Sequence, residues 1–236
     1  MILLLLGLLP GAFAGEARSR AFRPEGYQDT VPPEHAPCAD SYFSDAVFVG
    51  DSMTASLESL DLFPEAEFIW NKGMSIASTK HRQFKQAGKS QKATAFEMVE
   101  SCAPKKIFIF LGSNTLDVVK STPALNDYQA MLDSMIATAP EALIYAISPP
   151  PMTSGRFKKE TTSGANPKRY QLFEEGLREI CEERGVYYID LYHMVTDENG
   201  YMKRDCSAGD GYHLNADTST ALADYIKCHT VPYGAE

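Results

Sequence analysis

Five short apolar runs recur along the chain, at residues 46–49, 67–70, 106–111, 142–147 and 186–189. Each is too short for a stable helix and is flanked by glycine, proline or polar residues, so each reads as a strand buried on both faces. Between and after them the apolar positions recur at helical spacing. Thr122-Pro123 opens one helix, with Leu125, Tyr128, Met131, Leu132, Met135 and Ile136 on one stripe. Asn166-Pro167 opens another, striped by Tyr170, Phe173, Leu177, Ile180 and Cys181 and closed by Gly185. Residues 53–60 permit a helix after the first run, and a last helix starts near Asn215. Alternating strands and helices predict an α/β fold, a five-stranded parallel sheet with helices on both faces and right-handed crossovers. Ligands of such sheets sit beyond the carboxyl ends of the strands, so the strand ends are where chemistry is sought.

The segments outside this alternation read differently. Residues 1–14 hold an apolar run, a Pro10-Gly11 break and the small-x-small pattern Ala12-Phe13-Ala14. This is the pattern of a cleaved secretory signal, here without a basic start, and it predicts a secreted or extracytoplasmic protein. Residues 15–42 are polar, carry Pro24, Pro32, Pro33 and Pro37, and read as an extended lead-in. Residues 43–236 suffice for one domain with a full core. No stable membrane span is expected, since no later stretch is apolar enough. A formal net charge of −9 argues against nucleic acid as a partner. None of the five cysteines sits in a C-x-x-C pair, which argues against a zinc site. Cys181 falls on an apolar stripe, while Cys206 and Cys228 are candidates for a bridge in an exported protein.

The strand ends carry the polar residues. Gly50-Asp51-Ser52 follows the first strand, Asn71-Lys72-Gly73 the second and Gly112-Ser113-Asn114 the third. Past the fifth comes "CSAGDGYHLN", with Asp210 and His213. A serine hydroxyl needs a base to become a nucleophile, and histidine is the side chain that serves near neutral pH. A carboxylate must fix the imidazole's tautomer, and Asp210 is three residues from His213. Acyl transfer also needs oxyanion donors; the amides of Ser52 and Gly73 and the side-chain NH2 of Asn114 are of the right kind. Singly, each has a plainer reading: Ser52 as a helix cap, Asn114 as a turn residue, Asp-x-x-His as a surface turn. Asp190, at the end of the fifth strand, is the rival carboxylate, with helix capping as its simpler role. His35, His81, His193 and His229 have no partner the sequence identifies.

These four blocks, in this order, resemble the SGNH or GDSL-type serine hydrolases over residues 43–236. The resemblance implies a three-layer α/β/α flavodoxin-like fold. It implies Ser52 as nucleophile, His213 as base, Asp210 as its orienter, and Ser52, Gly73 and Asn114 as the oxyanion hole. It implies no metal and no organic cofactor. Met53 stands where leucine is usual, a volume-conserving change. Thr115 stands where an aspartate often follows the asparagine, which alters the hydrogen bonding around Asn114 but not the amide itself. The G-x-S-x-G elbow of α/β-hydrolases is missing.

The reading is an esterase for short O-acyl groups, acetyl foremost, on a small-molecule or carbohydrate alcohol. A lipase or lysophospholipase-like acylhydrolase, an O-acyltransferase and a non-catalytic binding module of the same fold are the alternatives. A phosphate-binding flavodoxin-like protein is disfavoured by the missing glycine-rich phosphate loop. Residues 149–169 form a polar insert longer than an ordinary strand–helix connection, which often marks function. Oligomeric state is left open by the sequence.

Overall fold

A computed structural model describes residues 19–86, 90–159 and 164–233. The apolar runs become strands β1 (Ala46–Gly50), β2 (Glu67–Trp70), β3 (Lys106–Phe110), β4 (Leu143–Ile147) and β5 (Tyr187–Ile189). All pair in parallel, in the order β2-β1-β3-β4-β5. The chain thus leaves β1 toward one edge and returns past it to β3. That reversal opens a crevice between the carboxyl ends of β1 and β3.

Eight helices cover the sheet: α1 (Ser52–Ser59), α2 (Ala95–Cys102), α3 (Ser113–Leu116), α4 (Ser121–Thr138), α5 (Ser154–Phe157), α6 (Pro167–Arg184), α7 (Leu191–Val195) and α8 (Ala216–Cys228), counted among the described residues. α6 starts and stops where its end signals lie. The Asn166 side chain accepts from the Arg169 amide, Pro167 fills the first turn, and Gly185 at φ 68° ends the helix. α2 was not anticipated. It is only eight residues long, and a reciprocal cap holds it: Glu97 N–H donates to Thr94 Oγ1 while Thr94 N–H donates to Glu97 Oε2.

Alternation of side chains gives the two sheet faces different cores. One face is aliphatic, with Val47, Val49, Ile107, Ile109 and Ile144 packed under α2, α4 and α6 through Met98, Val99, Leu132, Phe173 and Leu177. The other carries a row of rings in register across all five strands: Phe68, Phe48, Phe108, Tyr145 and Tyr187. Successive centroids lie 5.2, 4.6, 4.4 and 5.1 Å apart. α1 and α8 close over this row with Met53, Leu57, Leu222 and Ile226. Parallel pairing aligns the rings, and offset stacking adds to their burial.

The lead-in, described from residue 19, lies along the open edge of β5. Ala21 N–H donates to Arg184 O at 2.7 Å, and Tyr188 N–H donates to Thr30 O at 2.8 Å. The Arg23 guanidinium sits 4.7 Å over the Tyr187 ring and donates to the Gly185 and Val186 carbonyls. Farther on, His35 and Cys38 hydrogen-bond the last turn of α8. The 1–14 signal assignment lies outside the described residues.

The candidate Cys206–Cys228 bridge is not formed; all five cysteines are free thiols. The Asn215 amide binds Cys206 O at the start of α8, and Cys228 is its last residue. Thirteen helical residues, about 20 Å, therefore hold the two apart, beyond disulfide reach. No described helix is long and apolar enough to cross a membrane.

Candidate active site

The site is built on three strand ends and one returning loop. β1 ends at Gly50, where a β-carbon would overlap Thr54 Oγ1 and the Phe110 carbonyl. Only glycine lets α1 begin this close to β3. Asp51 caps α1, accepting from Met53 N–H at 2.9 Å, so Ser52 is the helix's first residue and faces the crevice.

The returning loop, residues 207–214, is tied to itself before it meets Ser52. Ser207 Oγ accepts from Gly211 N–H at 2.9 Å, and Ala208 N–H donates to His213 O at 2.8 Å. Asp210 Oδ1 accepts from the Tyr212 and His213 amides at 2.8 and 2.9 Å. Its other oxygen is left for the imidazole, and His213 Nδ1–H donates to Asp210 Oδ2 at 2.6 Å. The opposite ring nitrogen, Nε2, accepts from Ser52 Oγ–H at 2.9 Å. Burial works against the Asp210 charge, but the bonds from the His213 ring and the two amides outweigh it and lower its pKa to about 2. The carboxylate thus stays ionised beside the imidazole. Both side chains are open to solvent, 37% exposed at His213 and 46% at Asp210.

The segments that carry the three expected oxyanion donors are joined by hydrogen bonds: Asn71 N–H donates to Gly50 O at 3.2 Å, and Asn114 NH2 reaches Asp51 and Met74. Residues 71–74 form a tight turn, with Met74 N–H bonded to Asn71 O at 2.9 Å and Gly73 at φ 72°. Among the described residues, the amides of Ser52 and Gly73 are bonded to no protein acceptor. Thr115, the departure from the family pattern, links this segment to α3: Ile76 N–H donates to Thr115 Oγ1 at 3.0 Å. Asn114 corrects the sequence reading in one respect. Its NH2 is not a lone donor, because it is held by Asp51 Oδ2 at 2.6 Å and lies 3.4 Å from Met74 O.

Asp51 is therefore a site residue that the sequence reading passed over. It is 1% exposed, and it grips the first turn of α1 with one oxygen and Asn114 with the other. Burial raises its pKa to about 6, against the opposing pull of the Met53 amide and the Asn114 side chain. Its place inside Gly-Asp-Ser was the available signal. A polar residue flanked by a glycine and a helix start is a cap, and this cap is buried.

Asp190, the rival carboxylate, caps α7 as expected but also binds a histidine read as partnerless. His193 N–H donates to Asp190 Oδ1 at 3.1 Å, and His193 Nδ1 lies 3.0 Å from both carboxylate oxygens. His35 and His229 also gain partners, His35 at Thr230 and His229 at Tyr225 O. No group of three or more His, Cys, Asp or Glu able to hold a metal occurs among the described residues.

Residues 153–156 of the insert pack against the returning loop. Thr153 N–H donates to Gly211 O at 2.9 Å, and a β-carbon at Gly211 would run into Thr153 and Arg156. A cavity of about 400 Å³ opens there beside Asp210. Thr153, Arg156, Lys159, Arg204 and Ser207 line it.

The comparisons with known proteins bear on the family and the fold. The sequence model of the GDSL-like lipase/acylhydrolase family matches residues 48–221. Among curated proteins no relative matches. A GDSL-like lipase from Bacteroides thetaiotaomicron superposes with a TM-score of 0.61 at 16% identity, covering 82% of this chain and 89% of that one. An acetyl esterase, solved as a serine-to-alanine mutant with acetate, gives 0.55 at 14% identity, over 77% of this chain and 94% of the other. A carbohydrate esterase of family 3 from Talaromyces cellulolyticus gives 0.55 at 13% identity, with the same coverage of 77% and 94%. With a family match over most of its length and the family's blocks gathered at one crevice, the chain belongs to the GDSL-like lipase/acylhydrolase family.

Proposed function

We propose that the protein is a serine esterase that removes short acyl groups, acetyl foremost, from a carbohydrate-like alcohol. The observation that carries this is the unbroken chain from Ser52 Oγ to His213 Nε2, and from His213 Nδ1 to Asp210, at 2.9 and 2.6 Å. In the reaction Ser52 Oγ attacks the ester carbonyl as its proton passes to His213 Nε2. The carbonyl oxygen becomes an oxyanion facing the Ser52 and Gly73 amides and the Asn114 NH2, which exchanges its long 3.4 Å contact with Met74 O for the new acceptor. Collapse breaks the bond to the alcohol, which leaves with the proton from His213. Water then gives its proton to the same nitrogen, attacks the acyl-enzyme and releases the acid. Asp210, kept ionised, stabilises the imidazolium at both stages.

Two features favour a short acyl group over a lipid chain. The triad is open to solvent, with His213 and Asp210 both exposed. A fitting apolar pocket would favour longer chains by about 0.8 kcal/mol per methylene, and a triad this open to solvent encloses no such chain. The fold also carries acetyl and carbohydrate esterases among its solved examples. The signal-like residues 1–14 make action outside the cytoplasm part of the proposal, and sequencing the mature N-terminus tests it.

The central test is a fluorophosphonate probe, expected on Ser52, with kcat for Ser52→Ala and His213→Ala. Each single variant is expected to lose about 10⁴-fold or more, and the double variant little beyond that. Full activity in Ser52→Ala rejects the mechanism. Rates over acetyl, butyryl, octanoyl and palmitoyl esters of one alcohol are expected to fall after the short chains. A rise toward palmitoyl rejects the acyl assignment in favour of a lipase.

A further inference from the structure

The insert that walls the site has the opposite charge to the rest of the protein. Residues 149–169 hold five basic residues, Arg156, Lys158, Lys159, Lys168 and Arg169, against one acid, Glu160, in a chain of net charge −9. Two of these five, with an arginine from elsewhere, meet the site at one place. Arg156 and Lys159 from the insert and Arg204 from the turn before the returning loop line the 400 Å³ cavity beside Asp210. Asp210 lines the cavity as well, with its carboxylate held by His213 and two backbone amides.

Other carboxylates gather elsewhere. A larger groove along the outer side of α6 is lined by Glu174, Glu175, Glu179, Glu182, Asp197 and Glu198, which outnumber the Lys168 and Arg178 that share it. The molecule thus repels anions along one surface and presents three cations next to its triad. That segregation draws a negative substrate toward the catalytic crevice. The cavity is also rigidly tied to the chemistry. Its wall is bonded to the returning loop through Thr153 N–H and Gly211 O, and Arg156 packs over Gly211, two residues from His213. Two arginines suit planar, bidentate recognition of carboxylate or phosphate oxygens, and the lysine adds a point charge.

We propose that this cavity is an anion subsite for the alcohol portion of the substrate, so that the enzyme selects esters carrying a carboxylate or phosphate group near the acylated hydroxyl. The proposal rests on the esterase reading above and names its substrate class. The acyl group faces Ser52 while a neighbouring negative unit of the same molecule sits against Arg156, Lys159 and Arg204.

The test compares kcat/KM on three acetylated carriers: a neutral xylo-oligosaccharide, an oligogalacturonide and a poly(glycerol phosphate). 4-Nitrophenyl acetate reports the chemistry alone, so loss of that activity speaks against the esterase reading and not against the subsite. One or both anionic carriers are expected to exceed the neutral one by about tenfold or more, the scale of a charge-assisted contact. Which of them does so tells carboxylate from phosphate. The double variant Lys159→Gln/Arg204→Gln, checked for native fold by circular dichroism, is expected to lose that preference through KM. Raising salt to about 0.5 M is expected to shrink it in the native protein. Calorimetry with deacetylated oligogalacturonide and with inorganic phosphate, on native and variant protein, measures the subsite without turnover. Equal or better use of the neutral carrier, or a preference the double variant keeps, overturns the proposal.

Discussion

Replacing Asp51 with asparagine separates what the buried carboxylate does for the fold from what it does for the site. The folded protein raises the Asp51 pKa from 3.8 to about 6, chiefly by burial. At 1.36 kcal/mol per unit, a shift of about two units corresponds to about 3 kcal/mol of pH-dependent stability. The sign follows from the direction. A raised folded-state pKa favours the protonated form, so this contribution is complete below pH 3.8 and is lost as pH rises through 6. Asparagine caps a helix as well as aspartate does and carries no charge to bury. Asp51→Asn is therefore expected to match the native protein near pH 4 and to exceed it at pH 7–8. The gain there approaches 3 kcal/mol relative to pH 4. Activity moves the other way. An amide at 51 cannot accept from both Met53 N–H and Asn114 NH2 with separate oxygens. One of these contacts is lost, or Asn114 turns its NH2 away from the crevice. Loss of one oxyanion donor costs about 10²–10³ in kcat, with little change in KM. Urea melts from pH 4 to pH 8, paired with steady-state kinetics, read both effects. A stability difference that stays constant with pH, or a kcat near the native value, refutes the reasoning.

Three further outcomes follow from the geometry. Asp210→Asn is expected to lower kcat by up to about 10⁴ by removing the acceptor that fixes the His213 tautomer, while Asp190→Asn leaves the rate near native; the reverse ranking in steady-state kinetics reassigns the acid. Asn114→Ala is expected to lower kcat by about 10²–10³, and an effect confined to KM assigns it to substrate binding instead. Gly50→Ala forces a β-carbon against Thr54 and the Phe110 carbonyl, for an expected loss of about 1–3 kcal/mol or more, and an unchanged denaturation midpoint contradicts that close approach.

The strands were legible because burial on both faces leaves continuous apolar runs, and each expected run lies within a residue of the strand it forms. α6 was legible from its ends, with Asn166-Pro167 at one and Gly185 at the other. α2 was passed over because eight residues carry little periodicity, although Thr94 and Glu97 stand at the spacing of a reciprocal cap. The residues of the site were legible from their places after the strands. Their pairings depend on sheet order, which the sequence does not display. Asp190-x-x-His193 and Asp210-x-x-His213 have the same spacing, and both pair internally. Only the second reaches Ser52, because β3 and β4 separate β5 from β1, three strand spacings of roughly 14 Å in total. The role of Asp51 was hidden for a similar reason: its second oxygen finds a partner 63 residues along the chain.

The strap formed by residues 19–42 sets how the protein can be cut. A chain trimmed to the family match at 48–221 would lose Phe43, which lies among the rings of Phe48, Phe63 and Phe108. It would also remove the end of α8 and Val231, whose amide donates to the Tyr145 hydroxyl at 3.0 Å. Most consequentially, the Tyr188 amide would lose Thr30, and Tyr187 would lose the guanidinium above it. A bare parallel edge strand with an exposed ring is a template for pairing with another chain. Shortened versions are thus expected to aggregate even though every residue of the triad is retained. The working boundary for expression lies before Ala21, upstream of the first residue that the site motifs would suggest.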